Sequence, residues 1–194
     1  MMRRILRLLA CGAVVLSLVA CTPTGCAVGD TQDNMPSIAH DSTHKTDITV
    51  GFVGSTDTAA DKKAIDALAD DTLNVYYASL DTSGDSETAD KIAATAQQGV
   101  TDFVDRAVKI VIISGIDVTD ANRDSWNQAL TNAREAGIPV ALLNPKHAPE
   151  DELLYAAILD TDDAASAKSV SIADAVITIA RDEPHDRTIA VATE

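Results

Sequence analysis

Ile110-Val111-Ile112-Ile113-Ser114-Gly115-Ile116-Asp117, followed by Ala133-Arg134-Glu135-Ala136-Gly137-Ile138-Pro139-Val140, decides the fold of this chain. Four aliphatic residues in a row with no polar alternation predict a strand covered on both faces, as in a parallel sheet. Between the two stretches, Asp120 to Ala136 carries Trp126, Ala129, Leu130 and Ala133 on one helical stripe. Gly137 is placed to end that helix in a left-handed conformation, and Pro139 bars its continuation. Val140 to Leu143 then reads as the next strand.

The same alternation extends outward in both directions. Ile48 to Val53 is a β-branched run closed by Gly54-Ser55-Thr56-Asp57 and reads as a first strand. Thr58 to Asp70 follows as a helix with Ile65, Leu68 and Ala69 on one face, Thr58 and Asp61 forming its start. Asn74 to Ser79 is a second strand running into the turn Leu80 to Asp85. Ser86 to Ala107 places Ile92, Ala96, Val100, Phe103 and Ala107 three and four apart, a set that only an amphipathic helix buries together. Ala156 to Leu159 is a fifth strand. Strand and helix alternating over short connections imply right-handed crossovers and an α/β fold with a doubly wound parallel sheet. Ligands of such sheets bind outside the carboxyl ends of the strands.

The N-terminus is of another kind. Arg3, Arg4 and Arg7 precede an apolar run from Ile5 to Val19 that is too short, and too flanked by small residues, for a permanent spanning helix. Leu18-Val19-Ala20-Cys21 resembles the lipobox of bacterial lipoproteins. The resemblance implies a signal peptide over residues 1–20, lipid attachment at Cys21 and a location on the extracytoplasmic face of the cell membrane. Cys11 has too short an apolar stretch before it to compete, and Pro23-Thr24-Gly25 before Cys26 fits badly. Loss of residues 1–20 removes three of 15 basic residues and none of 30 acidic ones, taking the formal charge from −15 to −18. Such a surface repels phosphate backbones, so nucleic acid is excluded as a partner. Cys26 is left with no intrachain disulfide partner, and the core must hold the fold. Residues 21–46 have almost no apolar periodicity and read as a flexible tether. His40 and His44 within it are solvated linker residues rather than metal ligands.

The two stretches quoted first, in their order, are similar to the N-terminal lobe of type I periplasmic binding proteins of the ribose/galactose kind. In that family a strand and turn are followed by a helix ending Lys/Arg-Glu-Ala-Gly-Ile-Pro-Val and the next strand. The resemblance covers residues 47 to 194, and the lipidated N-terminus is similar to Gram-positive members. It implies capture of a sugar or similar small polar solute between two lobes, and presentation to an ABC importer or a sensor, with no catalysis and no cofactor. Carried over residue by residue, it implies ligand contacts from Ser55 and Asp57 in the first loop, Asp81 after the second strand, Asp117 after the third, Asn144 after the fourth and Asp162 at the crossover. Asp117 stands where the family has an aspartate that accepts hydrogen bonds from sugar hydroxyls, a role that suits an acceptor-only carboxylate. The loop at Ser55-Thr56-Asp57-Thr58 lacks the family's stacking aromatic, and Asn144-Pro145 replaces its Asp-Arg.

Under the same resemblance, residues 47–161 form the N-terminal lobe, and residues 162–194 begin a second lobe with a helix from Asp163 to Arg181 and a strand from Thr188 to Ala192. One helix and one strand cannot bury a lobe's core, so the expectation is a truncated second lobe. The other arrangement has that helix and strand docking onto the first lobe, in a single-lobed surface lipoprotein without ligand capture and with a structural or interaction role. Aspartates at the strand ends also suit Mg²⁺ and phosphoryl chemistry. Asp160-Thr161-Asp162 is superficially similar to the aspartate pair of phosphohydrolases, but that pair belongs after the first strand. No phosphate loop, Ser-His-Asp spacing or Cys/His cluster accompanies it, and His147 and His185 lie in polar loops with no evident partner. The reading is therefore a binding lipoprotein that is not an enzyme and holds no metal.

Overall fold

A computed structural model describes residues 44–80, 89–166 and 168–193. The strands are β1 (Thr49–Val53), β2 (Asn74–Ala78), β3 (Ile110–Ser114), β4 (Val140–Leu143), β5 (Ala157–Asp160), β6 (Val170–Ser171) and β7 (Thr188–Ala192). They form one sheet in the order β2-β1-β3-β4-β5-β7-β6, and every pairing is parallel. The helices are α1 (Thr58–Asp70), α2 (Ala89–Asp105), α3 (Arg123–Glu135) and α4 (Ile172–Ala180). The doubly wound α/β architecture expected from the sequence is the one observed. The signal peptide, Cys21, Asp81 and nearly all of the tether lie outside the described residues.

Period-two alternation sorts the strand residues between two cores. Val50 and Phe52 of β1 and Ile110 and Ile112 of β3 face α1 and α4. Val53, Val111 and Ile113 face α2 and α3 on the other side. Gly51 also points to the second side, and its missing side chain makes room for Phe103 of α2: a Cβ built there would lie 2.5 Å from the Phe103 Cγ. The expected stripe on α3 is buried throughout, with Trp126 only 2% exposed.

All four helices stop in the same way. After α3, Gly137 (φ +73°) donates to the Arg134 carbonyl and Ile138 to the Ala133 carbonyl, the paired bonds of a Schellman stop. Thr72 (φ +69°), Ala107 (φ +51°) and Asp182 (φ +58°) make the equivalent bonds after α1, α2 and α4 without glycine's freedom. The starts of α1 and α3 differ from the sequence reading. The cap of α1 is Asp57, whose carboxylate accepts from Ala60 N at 3.0 Å. Asp61 instead turns inward. On α3, Asn122 holds back the helix to Arg123, because its side chain accepts from Thr119 N at 2.8 Å and donates to the Asp117 carbonyl at 3.1 Å.

In this structure the helix and strand that follow Asp162 lie on the same sheet as the strands before them. β7 pairs with the free edge of β5, Leu159 opposite Ile189, and α4 packs beside α1 in the same core. The physical reason is the burial available there: Ile172, Val176 and Ile179 are all buried against the sheet and α1. The helix itself is shorter than expected. Residues 161–166 form successive turns, Asp160 Oδ1 accepts from Asp162 N, and Ser171 caps α4 by accepting from Asp174 N. Ala173 and Ile177 are buried, while Val170, within the span expected to be helical, sits exposed on the short edge strand β6. Arg187 fastens the entry to β7, its guanidinium stacked 4.5 Å from the Tyr155 ring centroid and donating to the Tyr155 and Glu152 carbonyls.

Candidate ligand-binding site

The chain leaves β1 toward one face of the sheet and β3 toward the other, so the carboxyl ends of these neighbouring strands diverge and leave a crevice. A cavity of about 110 Å³ lies there. Its walls come from the loop Gly54-Ser55-Thr56, the turn Ser114 to Asp117, the first turns of α2, and Lys146 beyond β4. Ile113, Ile116 and Trp126 give it an apolar floor. Thr56, Asp117, Thr119, Asn122 and Lys146 give it a polar margin.

Each wall is held from behind. Asp61, buried to 1% exposure, accepts from Ser55 N at 2.6 Å and from Ser55 Oγ at 3.0 Å, and Ser55 Oγ in turn accepts from Asp57 N. Those bonds shape the β1–α1 loop and occupy the Ser55 hydroxyl. Gly115 (φ +61°) turns the chain out of β3, with Ser55 Cβ 3.2 Å from where its own Cβ would be. Beyond it, Asp117 Oδ1 lies 2.7 Å from His147 Nδ1, so His147 has a partner after all, thirty residues away. Trp126 Nε1 is buried and has no hydrogen-bond partner among the described residues.

Of the six positions expected to touch ligand, Ser55 and Asp117 line this cavity. Asp57 caps α1 and Asp162 is exposed in the turn after β5; neither lines it. Asn144 (φ +44°) is committed elsewhere, donating to Thr161 Oγ1 at 2.6 Å and accepting from Thr161 N at 2.9 Å, which ties the ends of β4 and β5 together. Asp81 lies outside the described residues. Sequence reasoning missed Asn122, Thr119 and Lys146 as pocket residues. Asn122, just before a helix and eight residues past the end of β3, carried a legible signal as a loop-closing Asx residue; the other two carried none. Among the described residues, no three of His, Cys, Asp and Glu gather as a metal site would need.

No protein-family model matches the chain, and no curated protein does. Among solved structures it is similar to a galactofuranose binding protein, at 22% identity and a TM-score of 0.46, over 62% of this chain and 38% of that one. It is similar also to a protein from Mycobacterium smegmatis in complex with β-D-fucofuranose, at 18% identity and a TM-score of 0.44, over 64% and 42%. A third is a putative pilus assembly-related protein from Burkholderia pseudomallei K96243, at 15% identity and a TM-score of 0.43, over 76% and 99%. The chain spans less than half the length of the first two. These are likenesses of fold, and what those proteins bind or assemble is a property of theirs.

Proposed function

We propose that this chain is a membrane-anchored, extracytoplasmic solute-binding lipoprotein whose ligand is a sugar or similar small polar solute, presented to an ABC permease or a sensor. The observation that carries the reading is the crevice between the ends of β1 and β3, with the Asp117 carboxylate at its margin and an indole in its floor. A carboxylate accepts from hydroxyl donors, and an apolar floor suits the less polar face of a sugar ring. We read the role as binding rather than catalysis: Asp57 caps a helix, Asp160 holds a turn, and Asp117 keeps one oxygen on His147 and the other for a solute.

The size of the cavity sets the expected affinity. At about 110 Å³ it falls well below the ~300–1,000 Å³ of sites that enclose a ligand, so a sugar seated here stays partly in water. Net hydrogen bonds in such a site are worth about 0.5–1.5 kcal/mol each, and a handful of them gives a dissociation constant of roughly 1 mM or weaker. Titration of the protein with D-ribose and D-galactose at millimolar concentrations, followed by NMR, is expected to shift the amides of 54–56, 114–119 and 146. Asp117→Ala is expected to abolish those shifts. Unmoved spectra in the wild type at the highest soluble sugar concentration would remove the sugar reading.

The engagement of Ser55 by Asp61 and of Asn144 by Thr161 favours a second reading, a single-lobed surface lipoprotein with a structural or interaction role. The same titration separates the two. The anchor has its own test: Cys21→Ser is expected to lose fatty-acid label and to leave the signal peptide uncut by the lipoprotein signal peptidase. Label retained in that variant would end the lipoprotein reading under either function.

A further inference from the structure

We infer that His147 is a positioning residue for the pocket, holding the Asp117 carboxylate in the one orientation in which its second oxygen serves a bound solute; this rests on the reading of the crevice as a solute site. The main chain around Asp117 is fixed from both sides. Gly115 N donates to the Leu143 carbonyl at 2.8 Å, Lys146 N to the Ile116 carbonyl at 2.9 Å, and Val118 N to the His147 carbonyl at 3.0 Å. These bonds carry the parallel pairing of β3 and β4 past the ends of both strands, with Asp117 and His147 opposite each other as an isolated bridge. Asn122 closes the loop from the helix side through the Asp117 carbonyl.

The backbone bonds leave the carboxylate itself unrestrained. The Asp117 side chain is 44% exposed, and an unheld aspartate distributes over three staggered χ1 wells. His147 Nδ1, 2.7 Å from Oδ1, selects one of them. The ring is 73% exposed, so core packing does not account for its place. Among the described residues Oδ2 has no protein partner, which leaves it as the acceptor for a solute hydroxyl or amine. With a proton on Nδ1 the ring donates to Oδ1, the geometry that the 2.7 Å separation fits.

Restricting the carboxylate to one well of three is worth about threefold in apparent affinity, since a site competent for a third of the time binds about three times more weakly. The test compares D-ribose and D-galactose titrations of wild type, His147→Ala, His147→Asn and Asp117→Ala by NMR, with urea unfolding of each. Asparagine places an amide nitrogen near the position of the ring Nδ1 and donates from it. The expected result is binding weakened about threefold or more in His147→Ala with an unchanged unfolding midpoint, and binding near wild type in His147→Asn. Equal binding in His147→Ala and wild type overturns the inference while leaving the site reading intact. Equal weakening in the Ala and Asn variants, or a midpoint that falls with the affinity, shows a structural role and overturns it too. A wild type that binds neither sugar removes the site reading and this inference with it.

Discussion

Trp126→Ala is expected to cost about 3–5 kcal/mol, the range for truncating a large buried aromatic. The indole is 2% exposed and spans α3, the sheet and the pocket floor, so no neighbour can collapse into its space without moving a secondary-structure element. The void would open directly into the crevice above it. Because a domain of this size is stable by only about 5–15 kcal/mol, the loss is a large share of the total. Urea unfolding followed by circular dichroism measures it. Trp126→Phe is expected to lose less, since it keeps the ring and removes an indole N–H buried without a partner, a group whose burial costs about 1–3 kcal/mol. Wild-type fluorescence should be blue-shifted. Emission like that of tryptophan in water, with an unchanged unfolding midpoint in the alanine variant, would contradict the burial.

Gly51→Ala is the second large effect, and it arises from too much matter rather than too little. The added methyl would sit 2.5 Å from Phe103 Cγ and 2.6 Å from Cδ2, distances at which one group must move. Gly51 is in β1, paired on both sides by β2 and β3, and Phe103 is 3% exposed. Neither the strand nor the ring has room to yield. Overpacking of this kind costs about 1–3 kcal/mol, and the contact here points to the upper end. Phe103→Leu should partly compensate it, with a coupling of about 0.5–3 kcal/mol between the two sites in a double-mutant cycle. Strictly additive losses would show that the ring does not lie across Gly51.

Most of the architecture was legible because burial leaves its mark on residue spacing. Ile110-Val111-Ile112-Ile113 could belong only to a covered strand, and α1 and β4 occupy the residues their patterns predict. One of the four helix stops was legible, at Gly137. The others were hidden because Thr72, Ala107 and Asp182 take the left-handed conformation without the residue that usually marks it. The placement of the tail was illegible for a different reason: a helix and strand docked onto an existing sheet carry the same apolar pattern as a pair that begins a new one. Local sequence contains no information about which edge a parallel strand joins.

The site was less legible than the fold. Strand ends can be located from sequence, which is why Ser55 and Asp117 could be placed beside the crevice they line. Whether a polar side chain there faces a ligand or a protein neighbour depends on residues elsewhere in the chain, such as Asp61 for Ser55, His147 for Asp117 and Thr161 for Asn144. The Asn144–Thr161 clamp shows the difficulty. A residue at a strand end, where a solute contact was expected, has both ends of its amide used to join two strand termini.

The docking of α4 beside α1 bears on how the chain acquires its structure. Leu68 and Ala64 of α1 emerge early and share their core with Ile172, Val176 and Ile179, which emerge about a hundred residues later. Parallel pairing makes every neighbouring strand contact non-local as well, and such topologies order slowly because loop closure precedes any stabilising contact. Until the later residues are in place, the half-made chain therefore carries an uncovered apolar face. Acidic residues outnumber basic ones by 30 to 15, and the resulting net charge keeps chains with that face still open apart from one another, so the charge of the body also guards the unfinished fold.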